Sequence, residues 1–573
     1  MSSVDLIVLI GTLGLIAAVG IWQSRKQANI ESYLLGGKSL QWGTIGLSVM
    51  ATQASAITFI STPGQAYESG MAFVQNYLGL PIALVIVSAI FIPMYYRLKV
   101  FTAYEYLEQR FDLKTRLFGA FLFLVQRGLA AGITILAPAI IVSTILGWSL
   151  NLTILSIGVL VVIYTVSGGT KAVSITQKYQ MLVILFGMVV AFFVIVNKLP
   201  DRVSFLDAVN MAGQAGKLDV IDFSFDFEKR YTFWSGILGG LFLTLSYFGT
   251  DQSQVQRYIS GKNPTESRMG LMFNAILKVP MQFFILFVGI MVFMFYQFNQ
   301  APIHFNKANV DFLATTEYAD QTESIETWYN KYYDLRIEGY TLIDKGIRRN
   351  DEAAIAEGRA QVVGATAQID EARNQMKNLM LQADPDRKTK DSDYVFLTFI
   401  LTQMPTGLIG LLIAVIFAAA MSSTAGELNA LSSTATVDLY KRLYKPEASE
   451  KHYLNASKLL TLMWGVFAIA FAFFVRSAEN LIEGINILGS LFYGTILGLF
   501  LVGFFMKRIS GTAVFVGAII AQLVVLACHF ATIAGLFKIG YLWYNAIGLV
   551  LVVLLSLIAQ ITIGGSAKKI SGD

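Results

Sequence analysis

The chain alternates long apolar runs with short polar connections along almost its whole length. Apolar runs of about 20 residues are long enough to cross a bilayer as helices, and strands with open edges are excluded from the hydrocarbon core. The pattern therefore predicts an all-α polytopic membrane protein of about 13 transmembrane helices. The predicted spans lie near residues 4–22, 42–66, 72–96, 116–146, 150–167, 176–198, 233–252, 268–297, 406–433, 456–476, 480–506, 511–534 and 541–562.

The first apolar run, residues 4–22, raises the question of a signal peptide. No basic segment precedes it, and no clear small-residue cleavage site lies near its end. Signal peptides usually have both features. We therefore expect a retained transmembrane helix.

Residues 301–391 break the apolar pattern because they are mostly polar. The stretch from Tyr318 to Asp344 tolerates helix, and Asp351 to Gln382 is rich in helix-forming residues, with Lys345 to Asn350 between them as the turn. We expect a helical hairpin inserted between two spans. A long loop with its own structure often serves binding or gating, but a spacer or a partner-docking element is equally compatible with the sequence.

Basic residues are concentrated in alternate connections between the spans. Loops rich in lysine and arginine stay on the cytoplasmic side. This places the N-terminus outside, the C-terminus inside and the 301–391 insertion outside, in a cell membrane that we expect to be a bacterial inner membrane. The basic residues are Arg25, Lys26, Lys38, Arg97, Lys99, Arg110, Lys114, Arg116, Arg257, Lys262, Arg268, Lys441, Arg442, Lys445, Lys507, Arg508, Lys568 and Lys569.

The composition of the chain argues against several classes of function. Of the 573 residues, 14% are charged and 55% are hydrophobic, against about 25% charged in soluble domains. The net charge of +5 reflects the basic loops and implies no nucleic-acid partner. The single cysteine, Cys528, excludes an intrachain disulfide and a thiolate metal site, and the histidines are only His304, His452 and His529. No nucleophile–base set stands out, so catalysis is disfavoured.

Two apolar segments contain hydroxyl groups that gain nothing from facing lipid. In the segment 417–438, Ser422 and Ser423 offer hydroxyls, and Ala419 on the same helical face offers a carbonyl, for a small hard cation. Close helix packing through small residues is the alternative interpretation. The second polar segment, residues 48–59, favours a transporter.

Five short motifs resemble signatures of the sodium:solute symporter family, in its order and spacing. The resemblance extends over nearly all the chain except 301–391. It implies the leucine-transporter fold, in which two inverted five-helix repeats surround a site at the bilayer midplane, and sodium-driven import by alternating access. The motifs are Glu31-Ser-Tyr-Leu-Leu-Gly-Gly-Lys-Ser-Leu40, Thr102-Ala-Tyr-Glu-Tyr-Leu-Glu-Gln-Arg-Phe111, Gly168-Gly-Thr-Lys-Ala172, Gln254-Val-Gln-Arg-Tyr258 and the Ser422 segment.

The resemblance also implies which partners the chain has and how it divides into parts. The expected partners are a small-molecule substrate and the lipid bilayer. A monomer should suffice for transport, and the oligomeric state stays open. The expected parts are an extra helix and cytoplasmic loop at 1–41, the first repeat at 42–198, an extracellular loop at 199–232, the second repeat at 233–300 and 392–506 with the insertion 301–391 inside it, and two C-terminal helices with a cytoplasmic tail at 507–573.

A sodium site is implied where the first helix of the first repeat should be broken. Transferred by motif, its ligands are the carbonyls of Ala51, Ala54 and Ala419 and the hydroxyls of Ser422 and Ser423. Unwound carbonyls of broken helices coordinate the coupling ion in such transporters. All five ligands are neutral oxygens, which suits a monovalent ion, Na⁺, that must bind and leave in each cycle.

Two departures from the family pattern predict a single sodium ion. Members with a further sodium site have a second serine pair where this chain has Ala425 and Gly426, and an aspartate where it has Gln177. Nearby, Lys178 and Glu427 are unusual charges. They either extend to the cytoplasmic interface or form an ion pair that closes the inner gate. In a third alternative the Lys178 ammonium replaces sodium and transport is sodium-independent.

The resemblance also suggests substrate residues. Tyr247 matches the aromatic residue that stacks on the sugar and gates it in sodium/galactose and sodium/glucose transporters, and Lys278 matches a lysine that donates to sugar hydroxyls. The sugar-binding glutamate of these transporters is missing near Asn76. We predict substrate contacts from Gln53, Thr58, Asn76, Tyr247, Lys278 and Asn486, and gating by Tyr247, Lys178 and Glu427.

The substrate class stays open between two branches of the family. The contacts above favour a hexose-like sugar. The stretch 55–70 instead resembles the monocarboxylate, multivitamin and iodide branch, and Lys278 could equally pair with a substrate carboxylate or support a helix end. We expect a sugar, with a monocarboxylate, vitamin or sialic acid as the alternative. A sensor that has lost transport is disfavoured by the intact sodium ligands, and a channel by the inverted repeats.

Overall fold

The computed structural model describes residues 2–24, 30–54, 56–201, 203–229, 231–385, 387–475 and 481–563, and these are predominantly helical. Four of the basic residues used for orientation, namely Arg25, Lys26, Lys568 and Lys569, lie outside the described residues. The helices of the first part are α1 (Ser3–Ser24), α2 (Ile30–Leu35), α3 (Trp42–Gln53), α4 (Ala56–Ser69), α5 (Leu80–Ile86), α6 (Ile92–Leu98), α7 (Glu105–Arg110), α8 (Leu113–Leu146), α9 (Leu150–Asn197) and α10 (Phe205–Gln214).

The second part of the chain is built in the same way. Short 3₁₀ or π segments, at Gly70–Tyr77, Val87–Phe91, Ser235–Gly239 and Ala435–Tyr444, join or extend several helices. The helices are α11 (Gly240–Gly249), α12 (Gln252–Ile259), α13 (Pro264–Phe298), α14 (Lys307–Leu313), α15 (Ala319–Arg349), α16 (Glu352–Ala383), α17 (Ser392–Gln403), α18 (Leu408–Thr434), α19 (Glu450–Val475), α20 (Leu481–Phe505), α21 (Gly511–Ile533) and α22 (Trp543–Ile563).

Each predicted span coincides with helix, and the predicted all-α membrane fold is confirmed. The number of crossings and the orientation of the termini stay predictions. Within the described residues, nine helical stretches are long and apolar enough to cross a membrane, and three shorter apolar helices accompany them. The nine are Thr58–Leu98, Leu113–Ile140, Gly169–Asn197, Pro264–Phe298, Leu408–Tyr444, Glu450–Val475, Glu483–Phe505, Gly511–Ile533 and Trp543–Ile563.

The predicted break in the first helix of the first repeat is present between α3 and α4. Helix α3 ends at Gln53, and Ala54 leaves the helical region with φ −88° and ψ 71°. Residue 55 lies outside the described residues, and α4 begins at Ala56. Because the last carbonyls of a helix have no partner within it, this break exposes carbonyl oxygens inside the protein.

Residues 319–383 form the predicted helical hairpin. Helices α15 and α16 pack closely, since a Cβ on Gly358 would lie 2.7 Å from the Gly339 carbonyl oxygen. The predicted turn was too long, because α15 continues to Arg349 and the chain reverses at Asn350, whose φ of 52° is left-handed. Asparagine tolerates that conformation better than most residues.

Polar contacts fix the hairpin to the rest of the protein. The Tyr333 hydroxyl donates to the Asn299 carbonyl at 2.7 Å, just beyond the end of α13. The guanidinium of Arg373 on α16 pairs with Asp391 at 3.1 Å, directly before α17. Both helices of the hairpin are therefore held to the rest of the protein.

Helix α18 lies at the centre of the molecule, where it packs against α1, α3, α4, α8, α9, α12 and α19. From residue 422 to 434 every one of its side chains is buried, the hydroxyl-bearing ones included. These hydroxyls therefore face protein, as expected for a membrane helix that contains polar groups.

An ion-pair network lies at the C-terminal end of α18. Asp438, in the π segment after α18, accepts from Arg116 of α8 at 2.7 Å and from the Thr102 hydroxyl at 2.8 Å. Glu108 of α7 pairs with Arg116 and with Arg442, each at 2.7 Å. The network connects α7, α8 and the end of α18 at one side of the protein.

Candidate functional site

The predicted sodium ligands come together where α3 breaks against α18. Ala51, Ala54, Ala419, Ser422 and Ser423 are all buried, with at most 2% of each residue exposed. The Ser423 hydroxyl lies 3.4 Å from the Ala51 carbonyl oxygen. Among the described residues the Ser422 hydroxyl has no hydrogen-bond partner, although it is buried. A buried hydroxyl without a partner is unfavourable, so a ligand for it is to be expected.

Gln177 of α9 borders this group of oxygens. Its amide accepts from the Ser48 hydroxyl and donates to the Thr52 hydroxyl at 3.1 Å and to the Ser422 carbonyl at 3.2 Å. The side chain thus connects α9 to both halves of the ion site. A neutral amide that is fully engaged in hydrogen bonds contributes no charge to a second cation.

A guanidinium lies near Gln177, beside Gly426. Arg257 of α12 is fully buried, and its Nη1 donates to the Ser174 hydroxyl at 3.3 Å. A Cβ on Gly426 would lie 2.8 Å from Arg257 Nη2 and 3.7 Å from Gln177 Nε2. The glycine therefore makes room for a permanent positive charge close to the first ion site, and like charges disfavour a second cation there.

A central cavity of about 110 Å³ adjoins the ion site. Thr52 and Ser423 line it, so Ser423 belongs both to the predicted sodium ligands and to the cavity wall. Five of the six predicted substrate residues line it as well. The lining residues are Thr52, Gln53, Thr58, Asn76, Tyr77, Gln126, Arg127, Thr134, Leu243, Thr244, Tyr247, Ser423, Glu427, Ile485, Asn486, Gly489 and Tyr493.

Several amide groups in this wall are unpaired. Within the described part of the chain, Gln53 Oε1, Asn76 Oδ1, Gln126 Oε1 and Asn486 Nδ2 are buried and have no hydrogen-bond partner. Native proteins leave few buried polar atoms unsatisfied. Four such atoms around one cavity indicate a binding site for a solute rich in hydroxyl or amide groups.

Lys278, the sixth predicted substrate residue, does not line the cavity. Its ammonium is buried over the Tyr77 ring, 5.8 Å from the ring centre, and Tyr77 itself lines the cavity. No acceptor among the described residues bonds to it. Lys278 therefore contacts a residue of the cavity wall, and the direct substrate contact predicted for it is absent from this structure.

Arg127, in the middle of α8, is the positive group of the cavity. Its Nη1 donates to Glu427 Oε1 at 3.0 Å, and its Nη2 pairs with Asp251 and contacts the Tyr493 hydroxyl. The Tyr493 hydroxyl in turn donates to Asp251 at 2.7 Å. Arg127 Nε is buried and has no partner among the residues described. A guanidinium with a free N–H in a buried wall is suited to a carboxylate.

Tyr247, the predicted aromatic platform and gate, lies against this guanidinium. The Arg127 guanidinium is 5.3 Å from the centre of the Tyr247 ring, and the Tyr493 ring is 6.0 Å away. Gln254 donates to the Tyr247 hydroxyl at 2.6 Å. The ring is therefore held at the cavity by a cation–π contact and a hydrogen bond.

The predicted pair between Lys178 and Glu427 is not formed. Glu427 pairs with Arg127, whereas the half-exposed Lys178 lies over the neighbouring Tyr179 ring, with 5.8 Å from its ammonium to the ring centre. Consecutive helix residues are rotated by about 100°. Because Gln177 faces α18, Lys178 must point elsewhere. The gate role predicted for Lys178, and its replacement of sodium, have no support in this geometry.

The sequence interpretation missed Arg127, Asp251 and Tyr493. A signal for Arg127 existed, because it lies near the middle of the predicted span 116–146 and an ionisable residue within a membrane helix is functional by default. Asp251 lies at the end of the predicted span 233–252 and follows the same rule. Tyr493 carries no such signal in the sequence, because its role depends on its contacts with Arg127 and Asp251.

The family model of the sodium:solute symporter family matches residues 33–316 and 383–521. The chain belongs to this family. It is therefore a membrane-spanning, sodium-coupled solute symporter and not an enzyme. The unmatched residues 317–382 coincide with the α15–α16 hairpin. The hairpin therefore lies outside the parts of the chain that the family model matches.

Two bacterial relatives of this symporter are similar over nearly its full length. It is 29% identical to the sodium/sialic acid symporter SiaT of Proteus mirabilis over 99% of this chain and 96% of that protein. It is 27% identical to the sodium/sialic acid symporter NanT of Aliivibrio fischeri over 96% and 92%. The human sodium/iodide cotransporter is 33% identical, over only 48% of this chain and 43% of that protein.

A solved structure supports the predicted architecture of the symporter. It is a substrate-bound, outward-open sodium-coupled sialic acid symporter described as revealing a novel sodium site, with a TM-score of 0.75, 27% identity and 99% coverage of both chains. The predicted leucine-transporter fold is confirmed. These relatives do not support the predicted hexose-like substrate, and they fit the alternative of a sialic acid or a monocarboxylate better.

Proposed function

We propose that this symporter uses one sodium ion to import a polar organic anion of the sialic acid class. The observation on which the proposal depends is the buried Arg127 guanidinium in the cavity wall, with its Nε–H unpaired among the described residues. A guanidinium binds carboxylates strongly and directionally. A neutral hexose has no group that needs this charge.

The rest of the cavity suits the remainder of such a molecule. N-acetylneuraminate combines its carboxylate with several hydroxyls and an acetamido group. The unpaired amide atoms of Gln53, Asn76, Gln126 and Asn486 offer both acceptors and a donor for these groups. The Tyr247 ring offers an apolar face for the sugar ring.

The single sodium ion belongs to the group of oxygens at the break of α3. The shared wall at Thr52 and Ser423 supports coupling, because an ion bound there would order the side of the cavity that the substrate contacts. The buried Arg257 guanidinium and the engaged Gln177 amide support a stoichiometry of one. Electrostatic repulsion would disfavour a second ion beside Arg257.

A binding screen tests the substrate class. The thermal midpoint of the purified protein is measured in sodium chloride and in choline chloride with N-acetylneuraminate, lactate, pyruvate, glucose or galactose. We expect stabilisation by N-acetylneuraminate in sodium only, since a ligand stabilises the state that binds it. Stabilisation by lactate or pyruvate alone would favour a short monocarboxylate, and stabilisation by a hexose alone would restore the sugar prediction.

The position of Lys278 gives a prediction that separates it from Arg127. We expect Lys278→Met to leave the N-acetylneuraminate Kd within about threefold of the original value, because Lys278 does not line the cavity. Removing a buried ammonium without an acceptor should also leave the thermal midpoint unchanged or raise it. Isothermal titration and thermal unfolding measure the two effects. Loss of binding in a folded Lys278→Met protein would assign Lys278 to the substrate site.

The close approach of Arg257 and Gly426 gives a second prediction. We expect Gly426→Ala to lower the free energy of unfolding by about 1–3 kcal/mol, the usual effect of overpacking a tight core, because its methyl would lie 2.8 Å from a buried guanidinium nitrogen. The control is Gly364→Ala in α16, where nothing lies within 4 Å of the new methyl. Thermal unfolding should show a lower midpoint for the first variant only. Equal midpoints would show that Arg257 does not occupy this space.

A further inference from the structure

The connection between α10 and α11 exposes three phenylalanines at alternate positions. Phe223, Phe225 and Phe227 are 65%, 61% and 48% exposed. They belong to residues 219–229, a segment that is neither helix nor strand and that we call the aromatic loop. Contiguous apolar groups are rare on a surface that faces water, and they mark a surface that contacts another protein or a membrane.

The three rings lie on one side of the aromatic loop. The Phe225 ring is 5.1 Å from the Phe227 ring and 6.1 Å from the Trp234 ring. The Phe223 ring is 5.1 Å from the Phe233 ring. Side chains two residues apart share a face when the chain is extended. The loop therefore presents a continuous aromatic face.

The polar residues between the phenylalanines are bonded to the loop itself. The Lys229 ammonium donates to Asp222 Oδ2 at 2.9 Å and to the Ser224 hydroxyl at 3.2 Å. Asp226 Oδ1 accepts from the backbone N–H of Glu228 at 2.8 Å. Because charged groups are costly to remove from water, this side of the loop should face the aqueous phase. The loop is thus amphipathic.

Backbone hydrogen bonds hold the aromatic loop in this position. The indole N–H of Trp234 donates to the Phe223 carbonyl at 3.2 Å. The Gly540 N–H, shortly before α22, donates to the Phe227 carbonyl at 2.7 Å. The rings are therefore exposed on a loop that is bonded to two other parts of the chain.

The aromatic face continues onto helices that belong to the membrane domain. Trp234 and Leu238 lie four residues apart where the chain enters α11, and both remain more than one-third exposed. The Phe227 ring is 4.8 Å from the ring of Trp543, the first residue of the membrane-spanning stretch Trp543–Ile563. The aromatic loop therefore lies beside the ends of two apolar helices, at the level where a bilayer surface is expected.

We propose that the aromatic loop is a membrane anchor, whose three phenylalanines insert into the lipid beside the ends of α11 and α22 while its polar side stays in water. A bilayer fits this face because the face is continuous with lipid-facing helices and because amphipathic surface segments bury their apolar side at the headgroup boundary. The anchor fixes the start of α11, the helix that carries Tyr247 of the cavity. The inference does not depend on which substrate is transported.

Spin-label depth measurements on the full-length protein in proteoliposomes test the proposal. Cys528→Ser removes the single cysteine, and a nitroxide is attached to Phe225→Cys in that background. Relaxation of the label by oxygen, which concentrates in the bilayer, is compared with relaxation by a water-soluble nickel chelate. We expect the label to lie about 5–10 Å inside the boundary between headgroups and acyl chains, the usual depth of interfacial apolar faces.

Two matched positions serve as controls. Ser224→Cys is the neighbouring position on the polar side, where the native hydroxyl bonds to Lys229. Val363→Cys replaces another apolar side chain, 70% exposed, on α16 of the hairpin. At both control positions the nickel chelate should relax the label more than oxygen does. Stabilisation by sodium equal to that of the original protein shows that each labelled variant is folded.

Three results would overturn the anchor. Relaxation by nickel at Phe225→Cys equal to that at Val363→Cys would place the aromatic face in water. A label at Phe225→Cys that neither reagent reaches would show that protein covers the face, and spin–spin broadening would identify that protein as a second copy of the chain. Equal depths for Ser224→Cys and Phe225→Cys would show that the loop does not insert by its aromatic side.

Discussion

Replacing Arg127 by Gln should weaken N-acetylneuraminate binding more than any other single change. Truncating one partner of a buried charge pair costs about 2–5 kcal/mol, or about 30-fold to several thousand-fold in Kd. Arg127 is the positive group in the cavity wall, and its Nε–H is unpaired among the described residues. Isothermal titration in saturating sodium chloride measures the loss.

Two further variants show whether this loss is specific. Arg127→Gln leaves Asp251 and Glu427 without their cation, so the protein could lose its fold. Arg127→Lys keeps the charge but not the planar fork, and should still weaken binding clearly. Arg116→Lys changes an arginine that pairs with carboxylates outside the cavity and should leave binding intact. Unchanged affinity in a folded Arg127→Gln protein would exclude a carboxylate contact there.

Removing the serine hydroxyls of the ion site should have the second largest effect. We expect Ser423→Ala to weaken sodium binding about tenfold or more, since a lost contact to a charged group is worth about 1.5–3 kcal/mol. The double change with Ser422→Ala should weaken it further, because the Ser422 hydroxyl is buried and has no partner within the described residues. Thermal shifts in sodium chloride, with choline chloride keeping the ionic strength constant, measure the affinity.

A third serine of the same helix serves as the control. Ser432 of α18 is buried and bonds to Ser457 of α19 at 2.6 Å, away from the break in α3. Ser432→Ala should lose a little stability but keep the sodium affinity. Equal sodium affinity in the original protein and in the Ser422, Ser423 double variant would place the sodium site elsewhere.

Long apolar runs, and the polar residues that interrupt them, made most of the fold predictable from the sequence. Long apolar runs predict spans because the bilayer excludes unpaired backbone groups. The break near Ala54 followed from hydroxyl-bearing residues inside an apolar run and from the family resemblance, and the structure has it. The hairpin followed from composition, although its turn was predicted too long, because propensity locates element ends poorly.

Side-chain pairing in the site was much less predictable. Depth along the helices suggested that Lys178 and Glu427 meet, but the rotation of each helix decides which neighbour a residue faces. On α9 it is Gln177 that faces α18, and Glu427 bonds to Arg127 of α8. Lys278 was expected at the cavity by resemblance, yet its ammonium lies over the Tyr77 ring and Tyr77 lines the cavity instead. Such outcomes depend on packing between distant helices, which one sequence does not reveal.

Uptake into proteoliposomes tests the central claim most directly. Labelled N-acetylneuraminate is supplied outside vesicles that contain the purified protein, with an inward gradient of sodium chloride or of choline chloride. We expect accumulation only with sodium, a Hill coefficient of about 1 for sodium, and loss of accumulation in Arg127→Gln. Equal uptake in sodium and in choline, or sodium-driven uptake of glucose without any uptake of N-acetylneuraminate, would contradict this account.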